Sequence, residues 1–202
     1  MKVTIINSAR SDDSELSRSI TNTAKELNRL SIEVQQINCT NMHLNYCIGC
    51  WDCWWKTPGN CVHKDDMEQI YKAILHTDFL IFATPLVAGF VSSDLKKIND
   101  RMVALIHPYL QIIQGECHHK KRYPYYPDFA LILQPEETTD QEDIDIITSI
   151  YKRFAINFHS HLRFVFSTEN SPTDAAKKIA DMKHRSQAEA SNTDTPKLSD
   201  ND

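Results

Sequence analysis

The run Phe79-Leu80-Ile81-Phe82-Ala83 contains no polar residue, so a strand built from it must be covered on both faces. Strand and helix patterns alternate around it. Val3 to Asn7 is a β-branched strand, and Leu16, Ile20, Ala24, Leu27 and Leu30 form a helical stripe. Ile32 to Ile37 alternates as a second strand. Asp65-Asp66 opens a helix with Met67, Ile70, Tyr71, Ile74 and Leu75 on its apolar face, its acids suited to the positive end of the helix dipole. A further helix runs from about Ser93 through Leu95, Ile98, Met102, Leu105 and Ile106 and is bent or ended near Pro108. Phe129 to Leu133 is a strand, Ile147, Ile150, Tyr151, Phe154 and Phe158 stripe a helix, Leu162 to Phe166 is the last strand, and Pro172 to about Arg185 the last helix.

Five strands with intervening helices predict an α/β three-layer sandwich around a five-stranded parallel sheet, order 2-1-3-4-5, with right-handed crossovers. Such a sheet binds ligands at the carboxyl ends of strands one, three and four, where the strand order reverses. Residues 1–185 are expected to form one domain. From 186 to 202 the composition turns polar, and a disordered tail is expected.

A net charge of −5 without long single-sign runs argues against a general nucleic-acid binder. No apolar run approaches the roughly 20 residues of a membrane span, and the opening residues read as a strand, not an export signal. A cytoplasmic protein is expected. Its six cysteines then read as thiols or metal ligands before disulfides.

Cys47, Cys50 and Cys53, each separated from the next by two residues, are followed after seven residues by Cys61. Three thiolates on so compact a loop can reach three corners of one iron–sulfur cubane, and the fourth completes the set. Zinc is usually gripped by two separated Cys-x-x-Cys pairs, and Cys-x-x-Cys spacing also permits a reversible disulfide. Cluster, zinc and redox thiols all remain open at this point. Trp51, Trp54 and Trp55 share the loop, either shielding a site or anchoring the loop in the core.

Two other segments lie where the crevice is expected. Ser8 to Ser14 gathers hydroxyls and Arg10 at a helix N-terminus, an anion site in principle. Asp12 and Glu15 also have capping-box spacing there. Thr84-Pro85-Leu86-Val87-Ala88-Gly89-Phe90 follows the buried third strand, as a loop leading into a helix. Gly115 to Tyr123 is basic and aromatic, and reads as a solvated loop between helix and strand.

With the cysteine loop, Pro85-Leu86 and Asp100-Arg101 in place, the chain resembles the flavodoxin-like NAD(P)H-dependent FMN reductases, and within them the iron–sulfur flavoproteins. The resemblance covers residues 1 to about 170. It implies an FMN oxidoreductase that takes a hydride from NAD(P)H, or electrons from a protein donor, and delivers them to a small-molecule or protein acceptor. It also implies a homodimer or homotetramer. Ser8, Arg10 and Ser14 fall at phosphate-binding positions of the family, and Thr84, Pro85, Leu86, Val87, Ala88, Gly89 and Phe90 where the isoalloxazine lies. Cys47, Cys50, Cys53 and Cys61 would hold a 4Fe–4S cluster. Val87 stands where the family has an aromatic, and Asp12 and Asp13 are departures. An FMN-free relative serving as a thiol or metal redox sensor, or as a dimeric binding module, is the alternative.

Overall fold

The computed structural model describes residues 1–192, without the side chains of 183–192. Its elements are β1 (Lys2–Asn7), α1 (Glu15–Arg29), β2 (Glu33–Asn38), α2 (Asp52–Trp55), α3 (Met67–Leu75), β3 (Phe79–Val87), β4 (Phe90–Val91) and α4 (Ser93–Arg101). There follow β5 (Ile106–Ile113), β6 (Glu116–Lys121), β7 (Asp128–Gln134), α5 (Gln141–Asn157), β8 (Leu162–Ser167) and α6 (Pro172–Asn192).

Five parallel strands form the sheet in the order β2-β1-β3-β7-β8, the expected 2-1-3-4-5 topology of a flavodoxin-like fold. The apolar run of β3 is buried on both faces, as its composition requires. Phe79, Ile81 and Ala83 meet Leu16, Ile20 and Leu27 of α1 and Ala176 and Ile179 of α6. Leu80 and Phe82 face the opposite layer of α3, α4 and α5, with Ile70, Leu95, Ile98, Ile147 and Tyr151. β7 divides in the same way, with Phe129, Leu131 and Leu133 on one side and Ala130 and Ile132 on the other. This two-residue alternation of a wholly apolar strand is what holds three layers together.

Three segments depart from the sequence expectations. The third strand does not end at Ala83. It continues to Val87 and turns through Ala88 and Gly89, at φ +51° and +72°, into the short antiparallel β4. Two left-handed residues are the requirement of a type I′ hairpin turn, which matches the right-handed twist of the strands.

The helix expected to reach Ile106 stops at Arg101. Met102–Leu105 is a single 3-10 turn, and β5 then pairs antiparallel with β6. Ile106, Tyr109, Ile112 and Ile113 favour strand, and Gln114 and Gly115, at φ +52° and +83°, close the hairpin. Gly115 to Tyr123 is therefore mostly a paired strand and not a solvated loop.

The final helix runs beyond Arg185 to Asn192, into the span expected to be a disordered tail; 193–202 lie outside the described residues. Among the described residues no helix is long and apolar enough to cross a membrane.

Candidate functional site

Two neighbouring sites emerge, one at the carboxyl ends of β1, β3 and β7 and one around the cysteines. At the first, Ser8 is buried. Its amide and hydroxyl both donate to Ala83 O, at 2.9 and 3.0 Å, and its hydroxyl accepts from Ser92 Oγ at 2.9 Å. Thr84 Oγ1 in turn accepts from the Ser92 amide at 3.0 Å. This buried chain of hydroxyls ties β1 and β3 to the start of α4, so Ser8 and Thr84 fix the floor of the crevice with their side chains turned inward.

Ser14, not Asp12, is the N-cap of α1: its hydroxyl accepts from the Ser17 amide at 3.1 Å. Arg10 is open, 71% exposed, with Nη2 4.0 Å from Glu136 Oε1. Among the described residues the amides of Arg10, Ser11 and Asp12 donate to no acceptor. Exposed N–H groups leading into a helix N-terminus, beside a solvent-exposed guanidinium, suit a phosphate. That fit belongs to the backbone and Arg10 and not to the serine hydroxyls. Asp13 is fully exposed, and the Ser11 hydroxyl and its own amide hold its carboxyl below the usual range.

Along β3, Thr84, Pro85 and Leu86 are buried within the sheet, and Val87, Ala88, Gly89 and Phe90 carry the accessible surface. The hairpin tip leans on the loop after β7. Ala88 N donates to Glu136 Oε2 at 3.1 Å, and a Cβ on Gly89 would fall 2.4 Å from Asp143 Oδ1. Glu136 thus touches both Arg10 and the β3–β4 hairpin. It lies in the loop after β7, which contains no glycine.

The second site is a cavity of about 340 Å³ walled by Cys47, Cys50, Cys53, Cys61, Trp51, His63, Tyr71 and Arg101. The intervening backbone brings Cys61 back to Cys53. Gly59 N donates to Cys53 O at 3.2 Å, and Thr57 Oγ1 to Asn60 O at 2.9 Å. Gly49 and Trp51 adopt left-handed φ of +65° and +61°, bending the loop so that its three leading thiols share one wall. Trp51 there costs more than a glycine would, a strain of the kind found at functional loops. Burial, followed by the neighbouring Cys61, Cys47 and Cys50, pushes the Cys53 thiol up to about 11.

The three tryptophans divide their roles. Trp54 anchors the loop through Nε1 to Val103 O at 2.9 Å, between Trp51 at 4.7 Å and His119 of β6 at 5.0 Å. Trp51 lines the cavity half-exposed, and Trp55 faces solvent. The β5–β6 hairpin is therefore the buttress of the cysteine loop.

Asp65 closes the loop. Asn45, just before Cys47, gives it two hydrogen bonds at 2.8 and 2.9 Å, and Arg101, the last residue of α4, gives two more at 2.6 and 2.8 Å. Burial acts to raise the Asp65 carboxyl, but the bonds from Arg101 and Asn45 outweigh it and leave the group well below the usual carboxylate range. Tyr71 donates to Arg101 O at 2.8 Å. The nine-residue α4 rises about 13 Å, so one helix joins the crevice at Ser92 to the cysteine cavity at Arg101.

Among the described residues no three His, Cys, Asp or Glu side chains converge as a single metal ion would require. The four thiols stand around a cavity wall. Buried donors or acceptors without partners, Arg101 Nε and His63 Nε2, belong to side chains on the same wall.

Residues 1–121 match the family described as NADPH-dependent FMN reductase. The chain belongs to that family. Among curated relatives, iron-sulfur flavoproteins of Methanocaldococcus jannaschii and Archaeoglobus fulgidus are each 34% identical over 83 residues, or 41% of this chain. The matches span 41% and 37% of those relatives. An FMN-dependent NADH-azoreductase from Bacillus anthracis, solved in complex with FMN, superposes with a TM-score of 0.58 at 14% identity, covering 91% of this chain and 98% of that one. The NAD(P)H:quinone oxidoreductase from Methanothermobacter marburgensis gives 0.58 at 14% identity, with 92% and 95% covered.

Asp65, Glu136 and His63 carry no role in the sequence expectations, and Arg101 enters them only through the family motif. Acidic residues beside a predicted helix start look like caps, and nothing local reveals that Asp65 has a partner 36 residues away.

Proposed function

We propose that this chain is an FMN oxidoreductase that draws electrons from NAD(P)H and passes them through a 4Fe–4S cluster held by Cys47, Cys50, Cys53 and Cys61. The observation that carries it is that all four cysteines line one cavity, with unpartnered buried polar atoms in its wall. FMN supplies hydride acceptance, and an iron–sulfur cluster supplies one-electron transfer.

The chain's own residues do the rest. Arg10 and the open amides of residues 10–12 hold the phosphate, and Val87 to Phe90 bear on the ring. Trp51 keeps water from the cavity mouth. Arg101 and Asp65 together are neutral, so they place a polarised donor beside the thiolates without adding net charge.

The electron acceptor is a small molecule or a protein. The working unit is a homo-oligomer, for which exposed Tyr109, Leu110 and Ile112 on β5 offer apolar surface. Glu136 beside Arg10 favours a second reading, an FMN-free redox module, because a carboxylate there competes with phosphate.

The test is anaerobic purification followed by quantitation of FMN, iron and sulfide, with NADH and NADPH oxidation assayed. Stoichiometric flavin with equal iron and sulfide is expected. Flavin without iron would leave a plain FMN reductase with a redox-thiol loop. Protein that refuses added FMN would leave the second reading.

A further inference from the structure

One guanidinium nitrogen of Arg101, Nε, is not used by any of its partners among the described residues. Its side chain is 1% exposed, and Asp65, facing it, is 0% exposed. Nη1 bonds Asp65 Oδ2 at 2.6 Å and Asn45 O at 3.2 Å, and Nη2 bonds Asp65 Oδ1 at 2.8 Å. This grip is end-on, which leaves the Nε–H edge of the guanidinium plane free. Among the described residues Nε is buried with no acceptor.

A buried N–H without a partner is disfavoured by about as much as a hydrogen bond is worth, so it points to an acceptor that belongs there. The Arg101 side chain forms part of the cysteine cavity wall, where the groups other than His63, Asp100 and Tyr71 are thiols and apolar surface. Cys61 lines the same cavity wall as Arg101. The orientation is also fixed. Asp65 is held by the Asn45 amide and side chain and by the Met67 amide at 3.2 Å, so the guanidinium plane has little freedom to turn.

We propose that Arg101 is a positioning residue whose Nε–H donates to sulfur at the Cys61 corner of the cavity and so sets the reduction potential of the cluster there. The inference rests on the cluster assignment made above. Hydrogen bonds to cluster sulfurs and local positive charge both favour the more reduced, more negative state, and so raise the potential. Asp65 offsets the charge but not the hydrogen bond. A lysine could pair with Asp65, yet its ammonium has no second edge fixed in the plane to reach the sulfur.

The experiment is an anaerobic redox titration of the full chain followed by electron paramagnetic resonance, in wild type, R101K and D65N. R101K should load the same iron and sulfide but titrate at a more negative potential. D65N keeps Nε–H and removes a negative charge, and should titrate at a more positive one. A loaded R101K with the wild-type potential would overturn the proposal. Because a variant can fail to fold, wild-type protein labelled with 15N-arginine gives an independent arm. A 15N hyperfine coupling to the reduced cluster is expected, and its absence would also overturn the assignment. Wild-type protein with no cluster signal at all would instead remove the cluster assignment on which this rests.

Discussion

Arg101 and Asp65 meet end-on through hydrogen bonds of 2.6 and 2.8 Å, with neither side chain reaching solvent. The pair joins the end of α4 to the closing residue of the cysteine loop. Truncating one member strands the other as an unpaired buried charge. Asp65→Ala should therefore cost about 3–5 kcal/mol in urea unfolding. A loss below about 1 kcal/mol would mean the pair is hydrated in solution.

The same carboxylate gives stability a definite pH dependence. Its folded pKa is depressed from an ordinary value of 3.8. Its contribution is therefore complete above pH 4 to 5 and is lost as pH falls toward the depressed folded value. Asp65→Asn should flatten the acid limb of a stability-versus-pH curve relative to wild type and leave the slope between pH 6 and 8 unchanged. An unaltered acid limb would contradict the assignment.

The β3–β4 turn can be probed at Gly89. Its φ of +72° disfavours any side chain, and an added Cβ would meet Asp143 at 2.4 Å. Gly115, at φ +83°, has nothing within 4 Å of such a Cβ. Gly115→Ala should cost about 1–2 kcal/mol for the backbone alone. Gly89→Ala should cost more, and should weaken FMN binding as well. Equal losses in thermal unfolding would show that Asp143 moves away freely.

Arg10 separates phosphate from ring. Arg10→Ala should reduce FMN affinity by about 1.5–3 kcal/mol, the scale of a charge-assisted hydrogen bond, and leave riboflavin affinity unchanged. Fluorescence titration with both ligands checks it. Equal weakening of the two would place Arg10 at the ring instead.

Thiol reactivity should follow burial. Cys39 is 4% exposed and burial pushes its thiol up to about 12, whereas Cys117 is exposed. In cluster-free folded protein at pH 8, alkylation followed by mass spectrometry should modify Cys117 rapidly and spare Cys39. Comparable rates would show that the native layer over Cys39 opens readily.

The sheet was legible because its signal is local: β3 and β7 announce double-sided burial through composition, and α1 announces itself through a single stripe. The β5–β6 hairpin was not, because Met102, Leu105 and Ile106 continue a helical spacing that tertiary packing breaks after Arg101. Gly115 was the one available clue to its turn. The cysteine set was readable from spacing, yet its supports are long-range: Asp65 to Arg101, Trp54 to His119, and Glu136 to Ala88. Ser8 and Thr84 occupy the expected place, but their hydroxyls turn inward, a direction that one-dimensional order does not encode.

The most direct test of the central claim is low-temperature electron paramagnetic resonance on anaerobically purified, reduced protein, beside the same measurement on Cys50→Ala. A reduced-cluster signal in the native chain, with equal iron and sulfide, is predicted to vanish in the variant while bound FMN is retained. A native chain that binds FMN but gives no such signal, or a variant that keeps it in full, would contradict the assignment of these four cysteines.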